Sequence, residues 1–240
     1  MIPSGTITIT ENGTVDVTNY ANADVNVASS SDNNTKIDLT LSNSLTSDIK
    51  LKGSIISIDD IDSTGLTSMD NMFYNCVNLQ SVGKINVSNV TNMYMAFAYC
   101  KKLTDVDFTN YNTSNVTNME YMFQYCLVIP TLDVSTFNTK KVTSFRSMFQ
   151  HCDSLRTITF GSNWSFEKAS GNQGLSFMFS SCANLDNNTL NAILGLLPTV
   201  TSAFTGQKKL STIGFSTTQI STAQGLSNWA AAEAAGWLAS

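Results

Sequence analysis

The chain has 240 residues, 42% hydrophobic and 13% charged, which suits one sizeable core or two small ones and excludes a disordered or membrane-spanning chain. Ser, Thr and Asn fill 84 positions, so the surface is neutral and rich in hydroxyls and amides. A formal net charge of -5 leaves no cluster of Lys and Arg to bind a phosphate backbone, which excludes nucleic acid as the partner.

Met1 to Ser30 contains neither a basic start nor an apolar run of signal-peptide length, so Sec-dependent export and membrane insertion are not expected. Ile7 and Ile9, Val15 and Val17, then Val25 and Val27 alternate with polar residues as half-buried strands do. Asn12-Gly13 is a hairpin signal between the first two runs. Residues 1–28 are therefore expected to form a β-hairpin attachment segment, with too little core to stand alone and a need to dock on a partner chain or a second copy. The Ser- and Asn-rich residues 29–35 predict a linker, and the alternation in IDLTLS and IKLKGSIISI predicts an N-terminal β cap over 36–63.

Five cysteines follow at spacings of 24, 26, 26 and 30 residues. An odd number at a nearly constant interval signals an internal repeat over 64–186 and not a disulfide framework. A phenylalanine stands three residues before each cysteine, from Phe73 to Phe179, and a Leu or Ile three residues after it, from Leu79 to Leu185. Val90, Met93, Phe97 and Cys100 are spaced 3, 4 and 3, which predicts one face of a short helix. After a turn, Val106 and Phe108, Leu132 and Val134, and Ile158 and Phe160 alternate with polar residues as strands do. Each unit is thus predicted as helix, turn, strand and loop, with Asn89 to Asn92 and Asn115 to Asn118 as helix caps. One unit cannot bury its apolar face alone, so the copies must stack with their strands in a parallel sheet, giving an α/β solenoid.

The cysteines are expected to form a buried, reduced ladder. No cysteine has a second metal ligand at zinc-site spacing, and the side chain of the single histidine, His151, diverges from Cys152, so no metal or cofactor is expected. Residues 187–240 predict a C-terminal α/β cap. Within it, 187–197 form a helix ending before Pro198, STIGFS a strand, and TTQISTAQGLSNWAAAEAAGW one helix whose Trp229 and Trp237 seal the last unit.

The copies NVTNMYMAFAYCKKLTDVDF and NVTNMEYMFQYCLVIPTLDV closely resemble the BspA-type leucine-rich repeats of bacterial surface proteins, whose pattern runs NVTNM, MF, C, L and an LDLS-like strand. The resemblance covers about residues 64–186. It implies a short leucine-rich-repeat solenoid used in adhesion or recognition, and it brings no catalytic residues. Pro3 to Val27 is similar to a module of tail and baseplate-associated proteins from phages of Gram-positive hosts, and LSNWAAAEAAGW is similar to the ending of phage-encoded repeat proteins. These resemblances imply a non-enzymatic virion protein of the tail, fibre or baseplate, made in the host cytoplasm and released by lysis. Its N-terminal segment would bind other virion proteins or form a homo-oligomer, and its repeat surface would bind a host surface protein or glycan. A BspA-type cell-surface adhesin and a cell-wall or glycan hydrolase accessory are the alternatives.

Recognition is expected at exposed positions that vary between copies, because equivalent positions of stacked units form a row. One row precedes the cysteines: Asn75, Tyr99, Tyr125, His151 and Ser181. The other is the outward strand face, Asp105, Asp107, Thr131, Asp133, Thr157 and Thr159. Asp107 and Asp133 are expected side by side on adjacent strands about 5 Å apart, the separation of a retaining glycosidase pair. No cleft accompanies them in the sequence, and no catalytic residue is assigned.

Overall fold

The computed structural model describes residues 5–18, 23–29, 35–41, 50–58, 66–109, 111–169, 173–200 and 209–239, with backbone alone up to residue 56. These residues form a mixed α/β fold of short parallel strands and few helices. Strands β1 (Gly5–Thr18), β2 (Ala23–Ser29), β3 (Thr35–Leu41) and β4 (Lys50–Ile58) share a sheet in the order β2-β3-β1-β4. The expected Asn12-Gly13 hairpin does not form, since both residues lie inside β1. β1 pairs antiparallel with β3 over Gly5 to Glu11 and with β4 over Ile9 to Thr18, and the register shift between Glu11 and Val15 absorbs the Asn-Gly pair as an irregularity. Ser29 ends β2 and Thr35 begins β3; the rest of the expected linker lies outside the described residues.

The same sheet continues in parallel through β5 (Ser81–Val82) and β6 (Asp105–Val106), with Ile58, Val82 and Val106 in one row. β7 (Thr131–Val134) and β8 (Thr157–Phe160) form a second parallel pair, in which Leu132 lies beside Ile158 and Asp133 beside Thr159. Val82, Val106, Leu132, Val134 and Ile158 are buried and Asp105, Thr131, Asp133 and Thr159 exposed, as the alternation predicts, while Phe160 is only half-buried.

The segments before the cysteines are not helices. Each is a run of tight turns in which alternate N–H groups take different partners. Met93, Met95, Phe97 and Tyr99 donate to the carbonyls of Asn118, Glu120, Met122 and Gln124 in the next copy at 2.7–2.9 Å. Between them, Ala96, Ala98 and Cys100 donate three residues back, to Met93, Met95 and Phe97. Two residues per copy sit in the left-handed region, Met95 and Tyr99 in one, Tyr121 and Tyr125 in the next. The 3-4-3 apolar spacing suits this run as well as a helix, because both bring every third or fourth residue to one side. Bonding to the neighbour decides between them: a helix would satisfy these N–H groups internally and leave the copies joined by side chains alone. The expected Asn caps become turn residues, with Asn92 and Asn118 Oδ1 accepting from the N–H groups of Tyr94 and Glu120 at 3.1 and 2.9 Å.

Val90, Met93, Phe97, Cys100 and Leu103, with their counterparts, are fully buried. The rings of Phe73, Phe97, Phe123, Phe149 and Phe179 form a column with centroids 5.1–5.8 Å apart and planes within 20°. All five cysteines are free and buried. The thiols of Cys100, Cys126 and Cys152 each donate to the phenylalanine carbonyl of the preceding copy at 3.2 Å, so a small side chain with one weak donor fits between backbone layers. Burial pushes the Cys76 thiol up to about 12.

Past the last copy, α1 (Asn187–Leu196) starts on Asp186, whose carboxylate accepts from Thr189 N–H at 2.7 Å. The STIGFS strand is corrected to a short helix, α2 (Leu210–Ile213), closed by Gly214 at φ 105. Thr212 and Ile213 accept from the N–H groups of Phe177 and Phe179 at 2.9 Å, so α2 stands where a further copy would. The single long helix is corrected to α3 (Thr217–Ala223) and α4 (Trp229–Ala234), interrupted where the backbone N–H and Nδ2 of Asn228 both bond to Asn191 at 2.9 Å. Trp237 is fully buried, its indole N–H on the Pro198 carbonyl at 2.8 Å, while Trp229 is only half-buried.

Candidate functional site

The row before the cysteines sits at the last left-handed position of each turn run, with φ 63, 63, 60, 59 and 65 for Asn75, Tyr99, Tyr125, His151 and Ser181. L residues with large side chains avoid this conformation, at a cost of about 1 kcal/mol or more. Here the cysteine that follows turns into the core while the side chain at this position stays at the surface. Copies step by one strand spacing, so the rings fall on top of one another. Tyr99 and Tyr125 stack at 4.6 Å and 19°, and Tyr125 and His151 at 4.4 Å and 13°. Asn75 and Ser181 contribute no ring. Tyr74, which the sequence reading missed, leans edge-on against Tyr99 at 5.6 Å and 73° and is 38% exposed. Its signal was an aromatic displaced by one position in the first copy, YNC against AYC.

Desolvation raises the Tyr99 phenol above its ordinary value, with smaller contributions from Tyr125 and Tyr74, so it is a neutral donor and acceptor at physiological pH. His151 Nδ1 lies 3.8 Å from Asp153 Oδ1. Beside the ladder, Gln124 Nε2 donates to Gln150 Oε1 at 2.7 Å, a second link between the same copies. A neighbouring row was also missed: Tyr94 meets Tyr121 edge-on at 5.6 Å, Arg146 lies over the Tyr121 ring at 5.9 Å, and its guanidinium bonds Gln173.

The strand face is less regular than expected. Thr131 lies beside Thr157 and Asp133 beside Thr159, while Asp107 falls beyond the end of β6, and β6 and β7 belong to different ladders. The reason is local: Asp107 Oδ1 accepts from the hydroxyl and N–H of Thr109 at 2.7 and 2.9 Å, and Asp133 Oδ1 from Ser135 N–H at 3.0 Å, so both carboxylates shape the turns that end their strands. The two, with Asp105, Ser135 and Thr136, line one shallow pocket of about 280 Å³. The Thr109 bonds hold the Asp107 carboxyl below the usual range, the wrong direction for a proton donor at neutral pH. Thr157 is tied to Asp186 by a 2.8 Å bond. Among the described residues, no group of three or more His, Cys, Asp or Glu side chains could hold a metal ion, and no helix is long and apolar enough to cross a membrane.

A family model described as "Mycoplasma protein of unknown function, DUF285" matches residues 56–193. No curated protein and no solved structure matches the chain.

Proposed function

The chain belongs to the DUF285 family, whose model spans more than half of it, and from that premise we propose a non-enzymatic phage virion protein of the tail, fibre or baseplate that binds a host surface or a neighbouring virion protein. In this reading the stacked copies are a leucine-rich-repeat solenoid of the BspA type, with the N-terminal strands facing the particle. The observation that carries the proposal is the surface row Tyr74, Tyr99, Tyr125 and His151, four rings from consecutive copies held in a single column. A stack of aromatics outside the core offers contact area at low entropic cost, as recognition surfaces do. The resemblance of Pro3 to Val27 to tail-associated modules supports the location.

The test has two parts. Antibody-gold labelling of intact particles should decorate the tail end; labelling of the bacterial envelope alone would refute the location. A Tyr99→Ser, Tyr125→Ser variant, folded as judged by melting, should lose about tenfold or more in host adsorption or in binding the adjacent virion protein. The family description names a bacterial genus, which favours a cell-surface adhesin of the BspA type as the second reading. That reading uses the same row and predicts the opposite labelling result.

A further inference from the structure

We propose that the Tyr74-Tyr99-Tyr125-His151 ladder is a track for an extended, uncharged glycan lying parallel to the row, with one sugar per copy. The inference rests on the reading above that this row is the recognition surface, and it names the class of molecule recognised.

Stacking determines what the ladder can offer. Tyr99, Tyr125 and His151 lie face to face at 4.4–4.6 Å, so both faces of Tyr125 and the inner faces of Tyr99 and His151 are covered, and the usual face-on contact with a sugar or a base is closed to the middle of the row. Their edges remain. No described residue hydrogen-bonds the Tyr99 or Tyr125 hydroxyl, and a phenol both donates and accepts. A chain of hydroxyls is the complement of such a row.

The backbone argues against an extended peptide. Strand addition needs free N–H and C=O groups, yet the N–H groups of Asn75, Tyr99, Tyr125 and His151 already donate to Ala98, Gln124, Gln150 and Ser180 at 2.7–2.9 Å. The steps between rings, 4.4–5.6 Å, match the advance of one pyranose in an extended chain. A peptide rises about 3.3 Å per residue and drifts out of register within three steps.

Charge argues against an anionic polymer. Lys101 and Lys102, both in one copy and the latter donating to Asn78 at 2.8 Å, are the cations next to Tyr99, Asp153 sits beside His151 at 3.8 Å, and the chain as a whole carries -5. That pair is confined to one copy and is not repeated beside Tyr125 or His151, so positive charge does not run along the row as an anionic polymer would need.

Titration calorimetry of the full chain with linear β-1,4 oligomers of N-acetylglucosamine and of glucose, from one sugar to six, tests the proposal. Affinity should rise with each added sugar up to four and then level off, matching four rings. Tyr99→Phe with Tyr125→Phe keeps the stack and removes the hydroxyls; its melting temperature should stay at the wild-type value while tetramer binding falls roughly tenfold. A flat length dependence, unchanged binding by the Phe variant, no binding of either series, or tighter binding of an anionic oligomer or an extended peptide would overturn the glycan assignment. If neither series binds but the Ser variant still loses host adsorption, the recognition surface stands without its glycan. If glycan binding follows the ladder while the Ser variant adsorbs normally, the glycan site stands and the proposed function fails.

Discussion

Truncating Phe123 to Ala puts the stacked architecture under its most direct load. The ring is fully buried, parallel to Phe97 at 5.4 Å and 1° and to Phe149 at 5.8 Å and 2°, with Phe108 edge-on at 5.9 Å. Removing a buried Phe costs about 3 to 5 kcal/mol, the lower figure applying where neighbours relax into the void. Relaxation is blocked on both sides here. Phe97, Phe123 and Phe149 donate through their own N–H groups to Met122, Met148 and Met178 at 2.8–2.9 Å, so no ring can move along the column without breaking backbone bonds between copies. The expected loss is therefore about 5 kcal/mol, or about 10 to 20 °C in melting temperature for a chain of this size. Phe123→Leu, which refills much of the volume, should lose less than half as much. Calorimetry of the full chain reads both values. A fall of less than about 4 °C for Phe123→Ala would mean that copies slide together to close the gap and that the inter-copy bonds do not fix the spacing.

Native thiol counting should find the cysteines unreactive until the protein unfolds, because burial disfavours the thiolate in Cys76, Cys100, Cys126 and Cys152; prompt labelling of more than one under native conditions would contradict the ladder. Two carboxyls link stability to pH. Asp107 is lowered by the hydroxyl and N–H of Thr109, and Asp186 is lowered because bonds from Thr189 and Thr157 outweigh the opposing effect of burial. Each folded-state value lies below the unfolded value of about 3.9, so the stabilisation is complete above that pH and lost as pH falls through the lowered values. Urea midpoints should thus drop between about pH 5 and pH 2 and drop less in an Asp107→Asn, Asp186→Asn variant; identical slopes in the two proteins would remove these groups from the account.

What lies inside the molecule was legible from the sequence, because burial leaves a period. Phe123, Cys126 and Leu132 are all core, as their recurrence predicts. The backbone that holds them was not legible, since the spacing of Val90, Met93, Phe97 and Cys100 fits a helix and a run of turns equally, and hydrogen bonds between copies add nothing to the apolar pattern. A weaker cue existed in Asn71 and Asn75, a residue type that tolerates the left-handed region, but the central copies place Met95, Tyr99, Tyr121 and Tyr125 there. At the candidate surfaces the same limit applied. Asp107-Phe108-Thr109 and Asp133-Val134-Ser135 carry the side-chain turn signal of Asp followed two residues later by Thr or Ser, yet their alternation suggested a flat strand face. In STIGFS the β-branched residues suggested a strand, whereas Gly214 in the left-handed region is the mark of a helix end.

In the turn runs the N–H groups of Met93, Met95, Phe97 and Tyr99 and their counterparts all donate to carbonyls of the next copy, while the cysteine thiols and the Thr117 and Thr143 N–H groups donate back to the preceding one, so the stack has unlike ends. At the far end Thr212 and Ile213 receive the last of these donors, and the backbone beyond them curls back on itself, with Thr212 N–H on Lys209 and Gly214 N–H on Ser211. Among the described residues, α2 thus ends this row of donors. Duplicating one 26-residue copy, residues 101–126, would lengthen the outward row by one rung while leaving α2 in place at the far end. Reach and closure are separable in such a molecule, and selection can vary the first without relearning the second.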